Sequence, residues 1–317
     1  MLKNLACVAV AAVFTLHAQT APSDANRPAW AFLTPDKQQP PSSEESAPIH
    51  VPGSAKEYTA AQIDDLSNPP DWFPDEHPPA PSIVQHAKGA ALACGACHLM
   101  SGHGHQESAD LAGLSAEYIF RTMLDFRSGT RIDPARMNAI AKAMSDEDIK
   151  QAAGWFAALK PGGWIKVVET DSVPKSYVSV KGRQRLPLPG GGTEPLGNRI
   201  IELPQDVARA TSRDPHSGFI AYVPVGSVAN GASLAKTGGT TTGLGKTISC
   251  AICHGDSLEG LGDVPRIAGL HPAYVARQLY AFQIGTNHSV SSALMKKVVT
   301  NLTADDILAI AAYAATQ

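Results

Sequence analysis

The sequence has no excess of charge of either sign. Its 317 residues include 26 lysines and arginines against 29 aspartates and glutamates, a formal net charge of -3. Proteins that bind nucleic acid through its phosphates carry a basic patch, and this balance gives no indication of one. Hydrophobic residues make up 44% of the chain and charged residues 17%. That composition is globular, and the length is enough for two ordinary domains.

Long apolar runs are also lacking. The run from Leu5 to Leu16 is well short of the ~20 residues that span a bilayer, and no run of spanning length occurs later. Because it follows Lys3 and ends in a small-residue cleavage pattern, Leu16-His17-Ala18, we interpret residues 1–18 as a secretory signal peptide. An uncleaved membrane anchor is the alternative. We therefore expect an exported protein with no transmembrane segment after signal cleavage.

Cysteine is scarce, and its placement is informative. Apart from Cys7 in the predicted signal peptide, all four cysteines lie in two Cys-x-x-Cys-His motifs, "CGACH" at 94–98 and "CAICH" at 250–254. This is the attachment pattern of c-type haem, in which two cysteines bind the haem vinyl groups and the histidine binds the iron. Two disulfides, redox-active pairs or a shared four-cysteine zinc site are alternatives. None of them requires His98 or His254.

The two motifs belong to an internal repeat. Residues 111–130, "LAGLSAEYIFRTMLDFRSGT", align with residues 267–286, "IAGLHPAYVARQLYAFQIGT", at the offset of 156 residues that also separates the motifs. Residues 137–159 align with residues 295–317 at an offset of 158, so the second copy has two additional residues between its blocks. The repeat indicates two related domains, each with one haem.

Each copy is predicted to be helical. Apolar residues recur at three- and four-residue spacing within 118–126 and 274–282. Ser145 and Thr303 are predicted N-caps, because acidic residues follow them in the first helical turn, where the helix dipole favours negative charge. One apolar face follows each cap: Ile149, Ala152, Ala153 and Phe156 in the first copy, and Ile307, Ile310, Ala311 and Ala314 in the second.

The order of these parts resembles the class I cytochromes c, in particular bacterial members with two haems in tandem domains. The resemblance covers residues 81–160 and 228–317, and depends on the two motifs, on "LAGLSAEY" and "IAGLHPAY", and on a methionine followed by a capped helix. It implies a mainly α fold with two tandem class I cytochrome c domains, two covalently bound haem c groups and a periplasmic location.

In that family a methionine sulfur is the sixth iron ligand, opposite the histidine. Beyond Met144 the chain has one methionine, Met295, so a methionine ligand of the second haem can only be that residue. Its repeat partner is Met137, and both stand eight residues before the helix cap. We therefore predict that His98 and Met137 bind one iron, and that His254 and Met295 bind the other.

The other histidines and methionines that could bind iron are not repeated in the other copy. Met100, His103 and His105 match Asp256, Glu259 and Leu261. Met123 and Met144 match leucines, which favours a packing role. His271 and His288 match Ser115 and Ile132, and we expect them mostly at the surface. Replacement of a methionine by one of these two histidines is the alternative.

The resemblance also implies residues around each haem. In the family a proline carbonyl shortly after the motif holds the ligating histidine, and Pro265 fits this role. The first copy has Ala109, which still offers a carbonyl but not the rigid turn of proline. Family members place an arginine near a haem propionate after the glycine; Arg131 matches, whereas the second copy has Asn287. These departures predict two unequal haem environments.

The remaining segments carry no haem motif. Residues 19–80 are rich in proline, serine and acidic residues, which predicts an extended arm without a core of its own, pinned to a domain surface by Trp72 and Phe73. Residues 161–227 contain "WIKVVET", "RIIELP" and "GFIAYVPV", which predict a β-rich spacer. The spacer is either a brace between the domains or a docking surface for a redox partner.

Histidine and methionine ligands saturate the iron, and methionine raises the reduction potential, which suits one-electron transfer. We therefore expect an electron carrier rather than an enzyme, or the cytochrome subunit of a dehydrogenase or respiratory complex. Its partners would be a donor dehydrogenase and an acceptor oxidase or cytochrome. A two-haem peroxidase, which needs an open or displaceable iron ligand, and a haem-based sensor are the alternatives.

Overall fold

The structure, a computed structural model, describes residues 27–41, 47–133, 135–240 and 245–317. The predicted signal peptide, residues 1–18, lies outside these ranges. Within them, no helix is long and apolar enough to cross a membrane.

Part of the predicted arm has a core of its own. Its elements are strands β1 (Ile49–His50) and β2 (Glu57–Tyr58), which pair antiparallel, and helix α1 (Ala60–Ile63). Val51, Ile63 and Trp72 are buried together. The prediction of an arm without a core is therefore wrong for this part, because the short hairpin and helix bring apolar side chains together that are scattered among prolines and polar residues in the sequence.

Trp72 and Phe73 attach this unit to the rest of the chain. The Trp72 indole N–H donates to the carbonyl of Ser212 at 2.8 Å, and the Phe73 and His216 ring centroids are 4.0 Å apart. Both residues do pin the arm as predicted. The surface that they contact belongs to the spacer and not to a haem domain.

The first helical domain is built on the first haem motif. Its helices are α2 (Ser82–Gln85), α3 (Gly95–His98), α4 (Ala116–Ser128), α5 (Met137–Ala143) and α6 (Asp146–Ala158). The predicted cap is present, because the hydroxyl of Ser145 accepts from the N–H of Asp148 while the Asp148 carboxylate accepts from the N–H of Ser145. All four residues of the predicted apolar face of α6 are buried in the core of this domain.

The spacer contains the predicted strands. Its elements are β3 (Ile165–Glu169), β4 (Ser172–Pro174), β5 (Ser176–Val178), β6 (Arg185–Pro187), β7 (Thr193–Pro195), β8 (Ile201–Pro204), α7 (Val207–Thr211) and β9 (Phe219–Val223). The three predicted β-rich runs form one sheet in the order β3-β9-β8, in which β9 is parallel to β3 and antiparallel to β8. Strands β4 and β7, and β5 and β6, form two antiparallel pairs.

Glu202 on β8 joins the spacer to both helical domains. Its backbone carbonyl accepts from the Gln106 side chain of the first domain at 2.7 Å. Its carboxylate accepts from the backbone N–H of Ala273 in the second domain, also at 2.7 Å. Glu202 of the sheet therefore contacts both domains.

The second helical domain repeats the first with a longer opening helix. Its helices are α8 (Ser227–Thr237), α9 (Ala251–His254), α10 (Pro272–Ile284), α11 (Ala293–Val299) and α12 (Ala304–Ala314). The predicted cap at Thr303 is again a reciprocal capping box, with Asp306. Helix α8 packs so closely on α12 that a Cβ on Gly231 would overlap the carbonyl of Ala309.

The two domains meet around an approximate two-fold axis. The N–H of Ile132 donates to the carbonyl of Thr286 at 2.8 Å, and the N–H of His288 donates to the carbonyl of Thr130 at 2.9 Å. Each donor and acceptor in one bond is the repeat counterpart of those in the other. Because equivalent residues make reciprocal contacts, the interface has the pattern of a two-fold dimer within one chain.

Candidate functional site

Each haem motif forms one turn of helix. Cys94 lies at the N-cap of α3 and His98 is its last residue; Cys250 and His254 take the same places in α9. Residues three and four apart lie on the same face of a helix. The local fold therefore turns both cysteines and the histidine of each motif toward one side.

The thiols do not have the properties of redox-active cysteines. Cys94, Cys97, Cys250 and Cys253 are all free of disulfides. Burial raises the pKa of Cys94 to about 12 and that of Cys250 to about 11. Redox-active Cys-x-x-Cys pairs have lowered pKa values, and zinc binds thiolates. The two pairs also do not come together in one cluster, as a shared zinc site requires.

Both motif histidines are held in the orientation that iron binding requires. His98 Nδ1 lies 2.8 Å from the carbonyl oxygen of Ala109, and His254 Nδ1 lies 2.7 Å from that of Pro265. These are the two carbonyl contacts expected from the sequence. Burial lowers the pKa of both imidazoles, so both are neutral near pH 7. With Nδ1–H donated to a carbonyl, the lone pair of Nε2 is available to a metal.

The chain leaves each motif through the same backbone path. Leu99 and its counterpart Gly255 both have positive φ, at 61° and 80°. Three residues later the pattern is reversed, with Gly102 at 78° and Leu258 at 60°. Positive φ is unfavourable for leucine, so each copy places one glycine and one leucine in this conformation, in opposite order. The repeat preserves the path of the backbone more strictly than the residues that follow it.

The two predicted methionine ligands both lie in the first turn of a helix. Met137 is the first residue of α5, and its N–H donates to the carboxylate of Asp133 at 3.0 Å. Met295 is the third residue of α11 and packs against the core of the second domain. Both are half-buried. Iron coordination by Met137 and Met295 stays a prediction.

The other three methionines of the described residues have packing roles. Met123 and Met144 lie in the core of the first domain, as predicted. Met100 is buried in the same core with 5% of its surface exposed. Their thioethers contact apolar side chains, where methionine fills irregular gaps.

The histidines outside the motifs have different environments. His288 is exposed, as predicted. His271 is 1% exposed and its Nδ1 lies 2.6 Å from the Glu202 carboxylate, so the prediction of a surface histidine is wrong there. The cause is the spacer sheet, which covers the start of α10. His103 lies 3.6 Å from the Asp110 carboxylate, and burial lowers the pKa of His105 to about 3.

Arg131 lies at the domain interface. Its guanidinium donates to the Gln278 side chain at 2.6 Å and to the Tyr274 hydroxyl at 3.3 Å, and its charge lies 4.8 Å from the centroid of the Phe126 ring. It pairs in an antiparallel bridge with its repeat counterpart Asn287. The sequence did not indicate that this residue contacts the other domain; its proximity to a propionate stays a prediction.

The surroundings of the two motifs differ. In the first, Ala96 is 3% exposed, and its carbonyl accepts a hydrogen bond from Arg213 of the spacer. Pro69 of the arm lies against Gly95. In the second motif, the counterpart Ile252 is 70% exposed. The unequal environments expected from the sequence therefore extend to solvent access.

No family model matches the chain. It is 26% identical over 230 residues to the thiosulfate dehydrogenase electron acceptor of Stutzerimonas stutzeri, covering 72% of this chain and 80% of that protein. It is 25% identical over 241 residues to cytochrome c4 of Pseudomonas aeruginosa, covering 73% of this chain and 90% of that protein. Over 81 residues it is 31% identical to cytochrome c-554(548) of Halomonas halodenitrificans, covering 25% of this chain and 98% of that protein.

Proposed function

Because the chain belongs to the class I cytochromes c and is a member with two haems, we propose that its two Cys-x-x-Cys-His motifs hold the haems in two separate, unequal sites. The protein carries two covalently bound haem c groups and is an electron carrier. Each haem, when bound, supplies the one-electron chemistry of Fe(III) and Fe(II). The observation that carries the assignment is the matched pair of histidine-to-carbonyl hydrogen bonds.

In the first site, Cys94 and Cys97 form the thioether bonds, and His98 binds the iron through Nε2. The carbonyl of Ala109 fixes the imidazole and makes it a better electron donor to the metal. Met137 supplies the sixth ligand from the start of α5, where Asp133 holds the backbone.

In the second site, Cys250 and Cys253 form the thioethers, His254 is the histidine ligand, and Met295 is the sixth ligand. Pro265 supplies the carbonyl that orients the imidazole. Arg131, which belongs to the first copy and is buried at the interface, would compensate the negative charge of a propionate of the first haem. A guanidinium already enclosed by Gln278 and Tyr274 is well placed to remain charged there.

We assign the predicted segments to this function as follows. Residues 1–18 direct export to the periplasm, and residues 19–80 form the arm. The first cytochrome c domain comprises residues 81–160 and the second residues 228–317. The spacer, residues 161–227, braces the two, as supported by the contacts that Glu202 makes with both domains.

The partners that fit this carrier are redox proteins. Relatives named as electron acceptors of thiosulfate dehydrogenase support a dehydrogenase as donor, and the acceptor is an oxidase or another cytochrome. We place electron exchange at the second motif, because Ile252 and Cys253 are exposed whereas Gly95 and Ala96 of the first motif are buried. A free electron carrier and the cytochrome subunit of a complex would both use this one-electron reduction and oxidation of the haem iron.

Spectroscopy of the purified holoprotein tests this function. Two low-spin haems, each with the methionine-to-iron charge-transfer band in the oxidised form, are expected. Met295→Ala should remove that band from one haem and Met137→Ala from the other, while Met123→Ala, a matched packing variant, should leave both. A high-spin haem that binds peroxide or carbon monoxide readily in the unaltered protein would favour a peroxidase or sensor and overturn the carrier.

A further inference from the structure

We propose that the buried ion pair between Asp110 and Arg266 connects the two iron-binding histidines across the domain interface and holds the first haem at a lower reduction potential than the second. This inference rests on the proposed histidine ligation. It concerns two side chains that touch neither histidine, and that act through the carbonyls which do.

A short path of bonds runs from one histidine to the other. His98 donates to the carbonyl of Ala109, and Asp110 is the next residue. His254 donates to the carbonyl of Pro265, and Arg266 is the next residue. Arg266 and Asp110 are themselves 3.0 Å apart between Nη2 and Oδ1.

The ion pair lies across the approximate two-fold axis. Arg266 is the repeat counterpart of Asp110, so the same position carries opposite charges in the two domains. Arg266 also donates to the carbonyl of Ala268 at 2.6 Å and to that of its counterpart Ala112 at 3.2 Å. One guanidinium therefore binds equivalent groups of both domains. Identical charges here would repel each other, whereas this substitution makes the contact attractive and the two domains electrostatically unequal.

Both charged groups are shielded from water. The Asp110 side chain is 1% exposed and that of Arg266 is 8% exposed. The carboxylate is also fixed by the N–H of Ala112, which donates to it at 3.0 Å. Buried charges interact much more strongly with neighbouring groups than solvated ones. The field of this pair therefore reaches the residues that surround it with little screening.

The sign of each charge determines the direction in which the reduction potential of the haem beside it changes. A ferric haem carries one more positive charge than a ferrous haem. The Asp110 carboxylate, next to the acceptor of His98, stabilises the ferric state of the first haem and lowers its potential. Arg266 is next to the acceptor of His254 and raises the potential of the second haem.

This polarity matches the solvent access of the two sites. An electron that enters the protein settles on the haem with the higher potential, which is the second. That motif carries the exposed Ile252, whereas its counterpart in the first motif, Ala96, is buried. The ion pair therefore keeps the electron at the site that a partner can reach.

The test is the reduction potential of each haem in Asp110→Asn, measured by spectroelectrochemistry with the haem methyl resonances assigned by NMR. The redox equilibrium of the first haem should shift toward the ferrous state by about tenfold, which is about 59 mV for one electron. Asp263→Asn is the matched control, because Asp263 also pairs across the interface, with Arg121, but is 60% exposed. It should leave both potentials unchanged.

A charge exchange tests the same idea with the pair retained. In the double variant Asp110→Arg with Arg266→Asp, the gap between the two potentials should shrink or reverse. An unchanged gap in this variant, or an unchanged first potential in a fully haem-loaded Asp110→Asn, would overturn the proposal. If Asp110→Asn fails to fold, the exchange variant decides. Absence of two histidine-ligated low-spin haems in the unaltered protein would instead mean that the proposed function has failed.

Discussion

The two haem domains have the same backbone conformation around the motif but differ in the solvent exposure of the motif. Both place the motif on one helical turn, leave it through residues with positive φ, and return a carbonyl to the histidine. Yet Ala96 in the first motif is 3% exposed and Ile252 in the second is 70% exposed. The repeat preserves the backbone of the motif and its carbonyl contact, whereas the arm and the spacer contact Gly95 and Ala96 of the first motif through Pro69 and Arg213.

The closing helices of the two domains also differ in how much of their surface is buried. In the first, the closing helix α6 has one buried face and leaves Gly154 exposed. In the second, α12 is buried nearly all round, because α8 covers the face that faces solvent in α6. In the second domain a helix of the same domain therefore covers the closing helix, whereas in the described part of the chain the closing helix of the first domain has no such helix on that face.

Removing one haem should have the largest effect, and it tests whether the two haem sites form independently. Replacing Cys250 and Cys253 together by serine should remove the second haem and halve the haem content, because the thioether bonds hold the group covalently. The first haem should keep its low-spin spectrum, since the first motif binds its haem within its own domain. Haem content and the mass of the intact protein measure the result. Loss of both haems would show that the two sites do not form independently.

Two helical glycines, Gly231 and Gly154, allow the packing of the two domains to be compared. Gly231→Ala should destabilise the second domain by roughly 1–3 kcal/mol, because the new methyl overlaps the Ala309 carbonyl and α8 must move away from α12. Gly154→Ala in α6 is the control: a Cβ there meets no atom within 4 Å. It should stabilise the first domain by up to about 1 kcal/mol, the difference in helix propensity. Thermal unfolding of the holoprotein measures both. Equal effects would mean that α8 does not pack as described.

Local patterns explain which parts of this fold could be predicted from the sequence. The repeat aligned the two domains, and the caps at Ser145 and Thr303 needed only neighbouring residues, since a capping box spans four residues. The contact between Pro265 and His254 followed from the family resemblance. The three β-rich runs of the spacer likewise carried their own signal.

The parts that were missed depend on contacts between distant segments. His271 was expected at the surface because nothing in its own helix indicates that β8 covers it. The core around Trp72 is assembled from residues separated by prolines and polar side chains. The pairing of Asp110 with Arg266 required the two-fold arrangement of the domains, although the opposite charges at equivalent repeat positions were a signal that could have been noticed.

Changing the accessible surface should have a smaller effect than changing the haem sites or the core. Ile252→Asp places a charge beside the exposed second motif, at the surface where we expect redox partners to dock. Burying that carboxylate in an interface carries a desolvation cost. The second-order rate of electron exchange with a donor dehydrogenase should therefore fall by roughly tenfold, which corresponds to about 1.4 kcal/mol. Stopped-flow reduction measures it.

The matched control for that variant is Val225→Asp. Val225 is 65% exposed, similar to Ile252, but lies at the end of the spacer and outside both motifs. It should leave the rate unchanged, because the same charge is added outside both motifs. Both variants should retain two low-spin haems. If Val225→Asp slows exchange as much as Ile252→Asp, the added charge acts at long range. If neither variant slows exchange, Ile252 does not lie at the docking site.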